Sequence, residues 1–528
     1  MTALHLSARA LDAMLGEWKT EGTAYQALAD RIGLLIADGR VPGGSRLPAE
    51  RELSERLGLS RSTIGAAYAE LRASGYLQSV RGSGSIAKNP AVESVEQPVS
   101  TGVINFTQAA LPALAGVDAA MQQAATQIGP YLATLGYEPL GLPQLRQAIA
   151  DRYTERGLPT QADEIMVTSG ALQALTLIAR TLITRGDRVI VETPTYPHAA
   201  DTLIAAGARL VPVSVTAAGA GGGASGGAGG DTGGWHEEAL FQAFERTAPT
   251  LAYLMPDYQN PTGASMSNDL RRRLVAAAER SGTVLVADET TAELTIDEPG
   301  GRVHGVGFGG SSRGGRGSSL SGSVTGGAES AGKSDTRSIA PERPAPLATF
   351  GDVITLGSTS KTFWGGLRIG WIRASRPLIR RLLGTRASSD IGTPIFEQLV
   401  AANLVPQTAQ LLPLRQAELR TGRDALFGAL ADALPEWQVP RVDGGLCAWV
   451  NLGRPASSQL VLAARTRGVL ITAGPRFGID GAFERFLRLP INLLPVETSR
   501  AVDALQLAWR DISGLALSAE LPAFADMI

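Results

Sequence analysis

Apolar residues near the N-terminus fall on one stripe: Tyr25, Leu28, Ile32, Leu35 and Ile36 recur at helical spacing. The run Pro48-Ala-Glu-Arg-Glu-Leu-Ser-Glu-Arg-Leu57 predicts a second, short helix with proline at its entry. Gly58 supplies a tight turn, Ser60 caps a third helix that runs to Ala73, and Gly75 closes it. Tyr76–Val80, the turn Arg81–Gly84 and Ser85–Ala87 then predict a hairpin. These elements make one unit over 21–87. Residues 88–102 carry two prolines and no period, which reads as a linker. From Val103 the period changes. Short β-branched runs (Arg188–Glu192, Leu251–Met255, Thr283–Asp288, Val353–Leu356) alternate with helical patterns, predicting an α/β domain around a mainly parallel sheet. This domain spans 103–513, with a smaller α/β part at about 375–513. Two stretches, 217–234 and 299–346, are built largely of Gly, Ala, Ser and Thr, with Arg and Pro added in the second. Neither holds enough apolar surface to offset its ordering entropy, so both are expected to be disordered surface insertions.

Composition narrows the classes. With 528 residues, 44% hydrophobic and 19% charged, the chain fits a soluble protein of about two to three domains. A net charge of −2 means that any nucleic-acid contact comes from a local patch. One cysteine, Cys447, excludes an internal disulfide and a multi-cysteine zinc site, and is expected to be a buried small hydrophobe. The four histidines lack metal-ligand spacing, so no metal is expected. No apolar run reaches spanning length and the N-terminus lacks the order of a signal peptide, so a cytoplasmic protein without membrane contact is expected.

The first unit has the chemistry of a helix-turn-helix with a wing. Its third helix starts with Ser60, Arg61, Ser62 and Thr63, short hydroxyl donors beside one guanidinium, at a helix N-terminus that attracts phosphate. Arg61 to Lys88 holds four basic residues against one acid, Glu70. On spacing alone, a three-helix packing module with a polar face also fits. The runs Leu47-Pro-Ala-Glu-Arg-Glu-Leu-Ser54 and Leu59-Ser-Arg-Ser-Thr63 resemble the signature of the GntR family. That resemblance implies double-stranded operator DNA as partner, contacted by Arg51, Ser60, Arg61, Ser62 and Thr63, with Arg81 and Gly82 in the wing. Gly65 departs from the family, which usually has a basic residue there.

The second unit concentrates reactive groups at strand ends. Leu356-Gly-Ser-Thr-Ser-Lys-Thr-Phe-Trp-Gly-Gly-Leu-Arg368 offers one lysine amine, able to form a Schiff base with an aldehyde, and an arginine suited to a phosphate ester. Met255–Gly263 presents Asn260 in a turn, Asp288 ends a strand, and Val167–Gln173 forms a strand-to-helix junction of small residues. Ligands in open α/β sheets sit outside the carboxyl ends of strands, where all four elements fall.

This ordered set resembles the fold-type-I, class I/II aminotransferases. The resemblance implies pyridoxal 5′-phosphate (PLP) as cofactor, with Lys361 in the Schiff base, Asp288 on the pyridine nitrogen and Asn260 on the phenolic oxygen. It further implies that Gly170, Ala171, Ser358, Ser360 and Arg368 cradle the phosphate and that Tyr196 stacks on the ring. Tyr137 reaches the phosphate of the neighbouring subunit in a homodimer, and Arg488 grips an amino-acid carboxylate. Core packing is the alternative for both tyrosines on sequence grounds; for Arg488 a surface ion pair suits equally, and only the motif favours function. Thr290 and Thr291 stand where the family places a tyrosine.

A GntR-type winged helix-turn-helix followed by an aminotransferase-like domain resembles the MocR branch of the GntR regulators. The expected function is transcription regulation, in which PLP or a small amino compound acts as effector through Lys361. A working aminotransferase with a DNA-binding head, and a PLP domain kept as a dimer scaffold, are the alternatives.

Overall fold

The computed structural model describes residues 5–16, 18, 23–37, 40–80, 84–88, 103–217, 234–297, 344–479 and 481–517. Both Gly/Ser-rich insertions and the linker fall largely or wholly outside these residues, as do Arg81 and Gly82.

The N-terminal head contains α1 (Ala8–Leu15), α2 (Ala24–Ala37), α3 (Glu50–Leu57) and α4 (Arg61–Ala73), followed by strands β1 (Leu77–Val80) and β2 (Gly84–Ala87). The strands pair antiparallel. Local chemistry sets the bounds. Ser60 Oγ accepts from the Thr63 amide at 3.1 Å, which caps α4. Gly58 adopts the left-handed conformation (φ 65°) that ends α3. Leu28, Ile32, Leu35 and Ile36 of α2 meet Leu53, Ile64, Tyr68 and Leu71 in one core. α1 adds Leu11 and Leu15 to that core, extending the head upstream of residue 21.

A short strand β3 (Ile104–Asn105) opens the second domain. Next come β4 (Ile165–Thr168), β5 (Arg188–Thr193), β6 (Arg209–Thr216), β7 (Gly234–Trp235), β8 (Leu251–Leu254), β9 (Val284–Asp288), β10 (Val353–Ser358) and β11 (Gly370–Arg373). They form one sheet in the order β4-β11-β10-β9-β8-β5-β6-β7. Within it β6, β5, β8, β9 and β10 are parallel neighbours. β11 is antiparallel to both β10 and β4, so β4 points the same way as the parallel set. The sheet is thus mostly parallel, and its long strands end at one edge.

Alternation along each strand separates two cores. Val167, Ile190, Leu254, Leu285 and Val353 face one side, with helices such as Asn268–Ser281 and Ile395–Leu404. Met166, Val189, Val191, Tyr253, Val286 and Leu356 face the other, covered by helices Ala171–Leu182, Pro197–Ala205 and Arg376–Arg386. Burial on both faces explains why these strands read as continuous apolar runs.

The smaller part follows the long helix Thr408–Ala433. It holds β12 (Cys447–Asn451), β13 (Val469–Leu470), β14 (Thr472–Ala473) and β15 (Phe486–Pro490). β12, β15 and β14 make an antiparallel sheet, while β13 pairs with β3. Helices Ser457–Thr466 and Pro495–Leu517 complete it.

The head rests on this smaller part through α2. Arg31 is 1% exposed, and its Nη1 lies 2.8 Å from Glu484 Oε1, which is itself buried. Among the described residues no helix is long and apolar enough to cross a membrane, and no cluster of side chains could hold a metal ion.

Candidate functional site

The parallel strands deliver their last residues and following loops to one cavity of about 890 Å³. Gly170, Ala171, Tyr196, Asn260, Asp288, Ser358, Ser360, Lys361, Arg368 and Arg488 all line it. Tyr137 does not. It is 61% exposed, as are the nearby Leu132 (75%) and Leu135 (88%).

Asp288 ends β9 and is buried. Its Oδ2 accepts from the Tyr253 hydroxyl at 2.6 Å and its Oδ1 from the Thr290 amide at 3.0 Å. Tyr253 pairs in register with Val286, two residues before Asp288, so strand alternation puts both on one face. Desolvation, together with Asp288, holds the Tyr253 phenol well above its usual range, so it stays a donor.

Asn260 is held by a buried neighbour. Gln259 Nε2 donates to Glu192 Oε2 at 3.1 Å and to the Pro194 carbonyl at 2.7 Å. Its Oε1 accepts from the Thr262 amide and hydroxyl. Glu192 also accepts from Trp235 Nε1 and the Met255 amide. Burial pushes its carboxyl up to about 8 despite these donors.

Lys361 brings an amine to the same cavity. Lys361 Nζ donates to the Ala109 carbonyl at 2.8 Å. Burial first, and the Arg488 charge second, lower its pKa, which favours the neutral, nucleophilic form. Arg488 is buried, donates from Nη2 to the Thr107 carbonyl and lies 5.0 Å from the Phe477 ring centroid. Among the described residues its Nε, which is buried, has no hydrogen-bond partner, so it is a donor free to meet a ligand's acceptor.

Arg368 takes a left-handed backbone (φ 52°) and donates to the Ser169 carbonyl at 3.3 Å. A side chain at Gly170 (φ 97°) would meet Arg368 Nη2 at 3.0 Å, so glycine there keeps open the space between this guanidinium and the N-terminus of helix Ala171–Leu182. Guanidinium, helix N-terminus, Ser358 and Ser360 together suit a phosphate ester. Ser358 Oγ also accepts from the Ser360 amide at 3.0 Å, which fixes the loop before Lys361. The residues present therefore fit a phosphorylated aldehyde with an aromatic nitrogen: cradle, amine and carboxylate surround one space.

Thr290 and Thr291 both line the cavity, but the Thr291 hydroxyl donates to the Asp257 carbonyl at 2.9 Å. Cys447 is buried, and it also lines the cavity, with Sγ 3.7 Å from Asn260 Oδ1. Tyr253, Gln259 and Glu192 went unnoticed in the sequence. The signal for Tyr253 was a polar aromatic inside the apolar run Leu251–Met255, whose hydroxyl needs a partner once buried.

On the head, Arg61 and Ser62 are exposed at the start of α4. Ser60 Oγ lies 2.7 Å from Ser62 Oγ and 2.8 Å from Thr63 Oγ1, a cluster of hydroxyls beside free helix amides. Arg51 is exposed and pairs with Glu55 at 3.0 Å, a surface contact that yields readily to phosphate. A side chain at Gly65 would come 3.4 Å from Glu50 Oε2.

Comparison with known proteins agrees with both halves. Residues 101–505 match the family described as aminotransferase class I and II, and residues 24–86 match the bacterial regulatory proteins of the gntR family. The HTH-type pyridoxine biosynthesis transcriptional regulator PdxR of Corynebacterium glutamicum is 27% identical, over 84% of this chain and 87% of that protein. The HTH-type transcriptional regulator YdfD of Bacillus subtilis, itself uncharacterized, is 26% identical over 85% of this chain and 89% of its own. Among solved structures, the alpha-aminoadipate aminotransferase LysN of Thermus thermophilus, complexed with N-(5'-phosphopyridoxyl)-L-leucine, superposes with a TM-score of 0.63 at 22% identity. That alignment covers 85% of this chain and 99% of LysN, and it establishes the fold-type-I architecture. The cofactor of such a domain is PLP. The chain belongs to the aminotransferase class I and II family, and the gntR-family head that precedes this domain is consistent with the MocR-type arrangement of GntR regulators.

Proposed function

We propose that this protein is a DNA-binding transcription regulator whose aminotransferase-like domain senses PLP, or a small amino compound that reacts with it, and thereby controls operator binding. The observation that carries the reading is the single cavity joining Lys361, Asp288, Arg368 and Arg488, on a chain whose head rests on the same smaller part that supplies Arg488. Bound PLP supplies an aldehyde that condenses reversibly with a primary amine. Arg368, Gly170, Ala171, Ser358 and Ser360 would hold its phosphate, Asp288 would pair with the ring nitrogen, Tyr196 would pack on the ring, and Arg488 would bind a ligand carboxylate. Asn260, next to the anchored Gln259, would offer its amide to the phenolic oxygen. Thr290 replaces a bulkier phenol there, which weakens control of proton transfer and favours sensing over turnover.

Tyr253, which also lines the cavity, positions Asp288 through its hydroxyl. Tyr253→Phe removes a hydrogen bond to a charged carboxylate worth about 1.5–3 kcal/mol. PLP affinity is expected to fall roughly tenfold or more, measured by absorbance titration of the apoprotein. An unchanged affinity would show that Asp288 needs no such support.

DNA is contacted by Arg51, Ser60, Arg61, Ser62 and Thr63, and by Arg81 and Gly82, which lie outside the described residues. The exposed Leu132, Leu135 and Tyr137 form the face through which two copies associate, with Tyr137 reaching the partner's site. Such a dimer presents two heads to paired half-sites in cytoplasmic DNA. Arg61→Ala is expected to weaken binding to the protein's own upstream region by roughly tenfold or more, one base or phosphate contact being worth about 1–3 kcal/mol. A mobility-shift titration reads this, and equal affinities would remove α4 from the interface.

A second reading has one observation in its favour: Lys361, Asp288 and Arg488, the groups a minimal transaminase needs, share the cavity. Steady-state turnover with a panel of amino donors separates the two. Rates around 1 s⁻¹ or above, within the usual enzyme range, would establish catalysis. Stoichiometric exchange without turnover supports sensing.

A further inference from the structure

One helix, Ser457–Thr466, faces both the cavity and the head. Its Val461 and Arg465 line the cavity, and its Leu462 packs against the head core. Its Ser458 Oγ donates at 2.6 Å to Glu484, the carboxylate paired with Arg31 of α2. From the other side, α2 contributes Ala37 to the cavity wall. Arg465 Nη1 also donates to the Tyr76 hydroxyl at 3.4 Å, and Tyr76 immediately precedes β1 of the hairpin. The cavity that begins at Lys361 therefore ends against the DNA-binding head.

The charges in the wall are unbalanced. Lys361, Arg368, Arg465, Arg476 and Arg488 line it, and Asp288 is the one carboxylate among the described lining residues. In the reading above, PLP phosphate answers Arg368 and a ligand's α-carboxylate answers Arg488. Arg476 is paired with Asp201 at 2.7 Å. Among the described residues the Arg465 side chain has only a phenol hydroxyl rather than a carboxylate, at the long end of hydrogen-bond range.

We propose that Arg465 is a subsite for a second anionic group, a carboxylate or phosphate on the side chain of the amino ligand, and that engaging it withdraws Arg465 from Tyr76 and loosens the head. The inference rests on the sensing role above and names the ligand class and the coupling. A guanidinium–oxyanion pair is bidentate and charge-assisted, so it displaces the single long bond to the phenol. The ligand then favours the state with the head released, and the coupling acts in both directions.

The test uses the full chain loaded with PLP. It is titrated with L-norvaline, L-glutamate and O-phospho-L-serine, following the visible absorbance change, while hydrogen exchange reports on Leu77–Val80. Wild type is expected to prefer one or both acidic compounds over norvaline by about tenfold or more, the worth of one charge-assisted contact. Arg465→Ala is expected to bring that ratio to about one; the ratio is read within each variant, so a general loss of folding or cofactor cancels. Tyr76→Phe is expected to raise the ratio, and exchange at Leu77–Val80 is expected to quicken with the acidic compound but not with norvaline. A preference for glutamate alone identifies a carboxylate subsite, and one for phosphoserine alone a phosphate subsite. A ratio near one in wild type, or one unmoved by Arg465→Ala, overturns the subsite while leaving amine sensing intact. No absorbance change with any of the three overturns amine sensing and the subsite with it, and leaves sensing of PLP itself to the DNA-binding measurement.

Discussion

Arg31→Ala is expected to cost about 3–5 kcal/mol, because removing one member of a buried ion pair strands the other. Arg31 Nε donates to the Leu15 carbonyl at 2.8 Å, Nη1 to Glu484 at 2.8 Å and Nη2 to the Gly481 carbonyl at 3.1 Å. Glu484 in turn accepts from the Ser457 hydroxyl and from the amide and hydroxyl of Ser458. One side chain thus ties α1, α2 and the smaller part together. Urea unfolding followed by a probe in the head should show its transition moved to lower denaturant. The double replacement Arg31→Met with Glu484→Leu is expected to recover only part of the loss, since it removes the stranded charge but leaves the Ser457 and Ser458 donors without their acceptor. A single-variant cost below about 1 kcal/mol, the range of exposed pairs, would show that the head is not fastened there.

Lys361→Ala is expected to abolish the visible absorbance of covalently bound PLP completely. Arg368, the helix N-terminus at Ala171 and Asp288 remain, so PLP should still bind, with the spectrum of the free aldehyde. The wild-type amine should react below the pH needed by a solvated lysine, because burial and Arg488 both lower its pKa from 10.5. Scanning attachment against pH tests this. A pH dependence matching free lysine would contradict the burial argument, and a visible band that persists in Lys361→Ala would place the covalent bond elsewhere.

How much of this was legible in the sequence depended on how local each cause is. The strand Arg188–Thr193 and the apolar run before Asp288 could be read because burial on both faces demands near-continuous apolar residues. Ser60 and Gly58 could be read because caps act within a few residues. Arg31 could not. A charged residue on α2 reads as solvated, and its partner Glu484 lies 453 residues away. The same holds for Arg465, whose contact with Tyr76 joins positions 389 residues apart. Tyr253 lies in the strand read from Leu251–Met255, but its bond to Asp288 depends on the register of β8 against β9. The family motifs marked the groups lining the cavity, while the means by which the cavity meets the head is a property of the fold.

The central claim is that PLP chemistry at Lys361 governs DNA binding by the head. The direct measurement is the affinity of the full-length protein for its own upstream DNA, with and without PLP, in wild type and Lys361→Ala. The expected result is a wild-type affinity that changes by about tenfold or more on adding PLP, a coupling of about 1–3 kcal/mol, and a change that disappears in Lys361→Ala. Equal affinities under all four conditions would contradict the account.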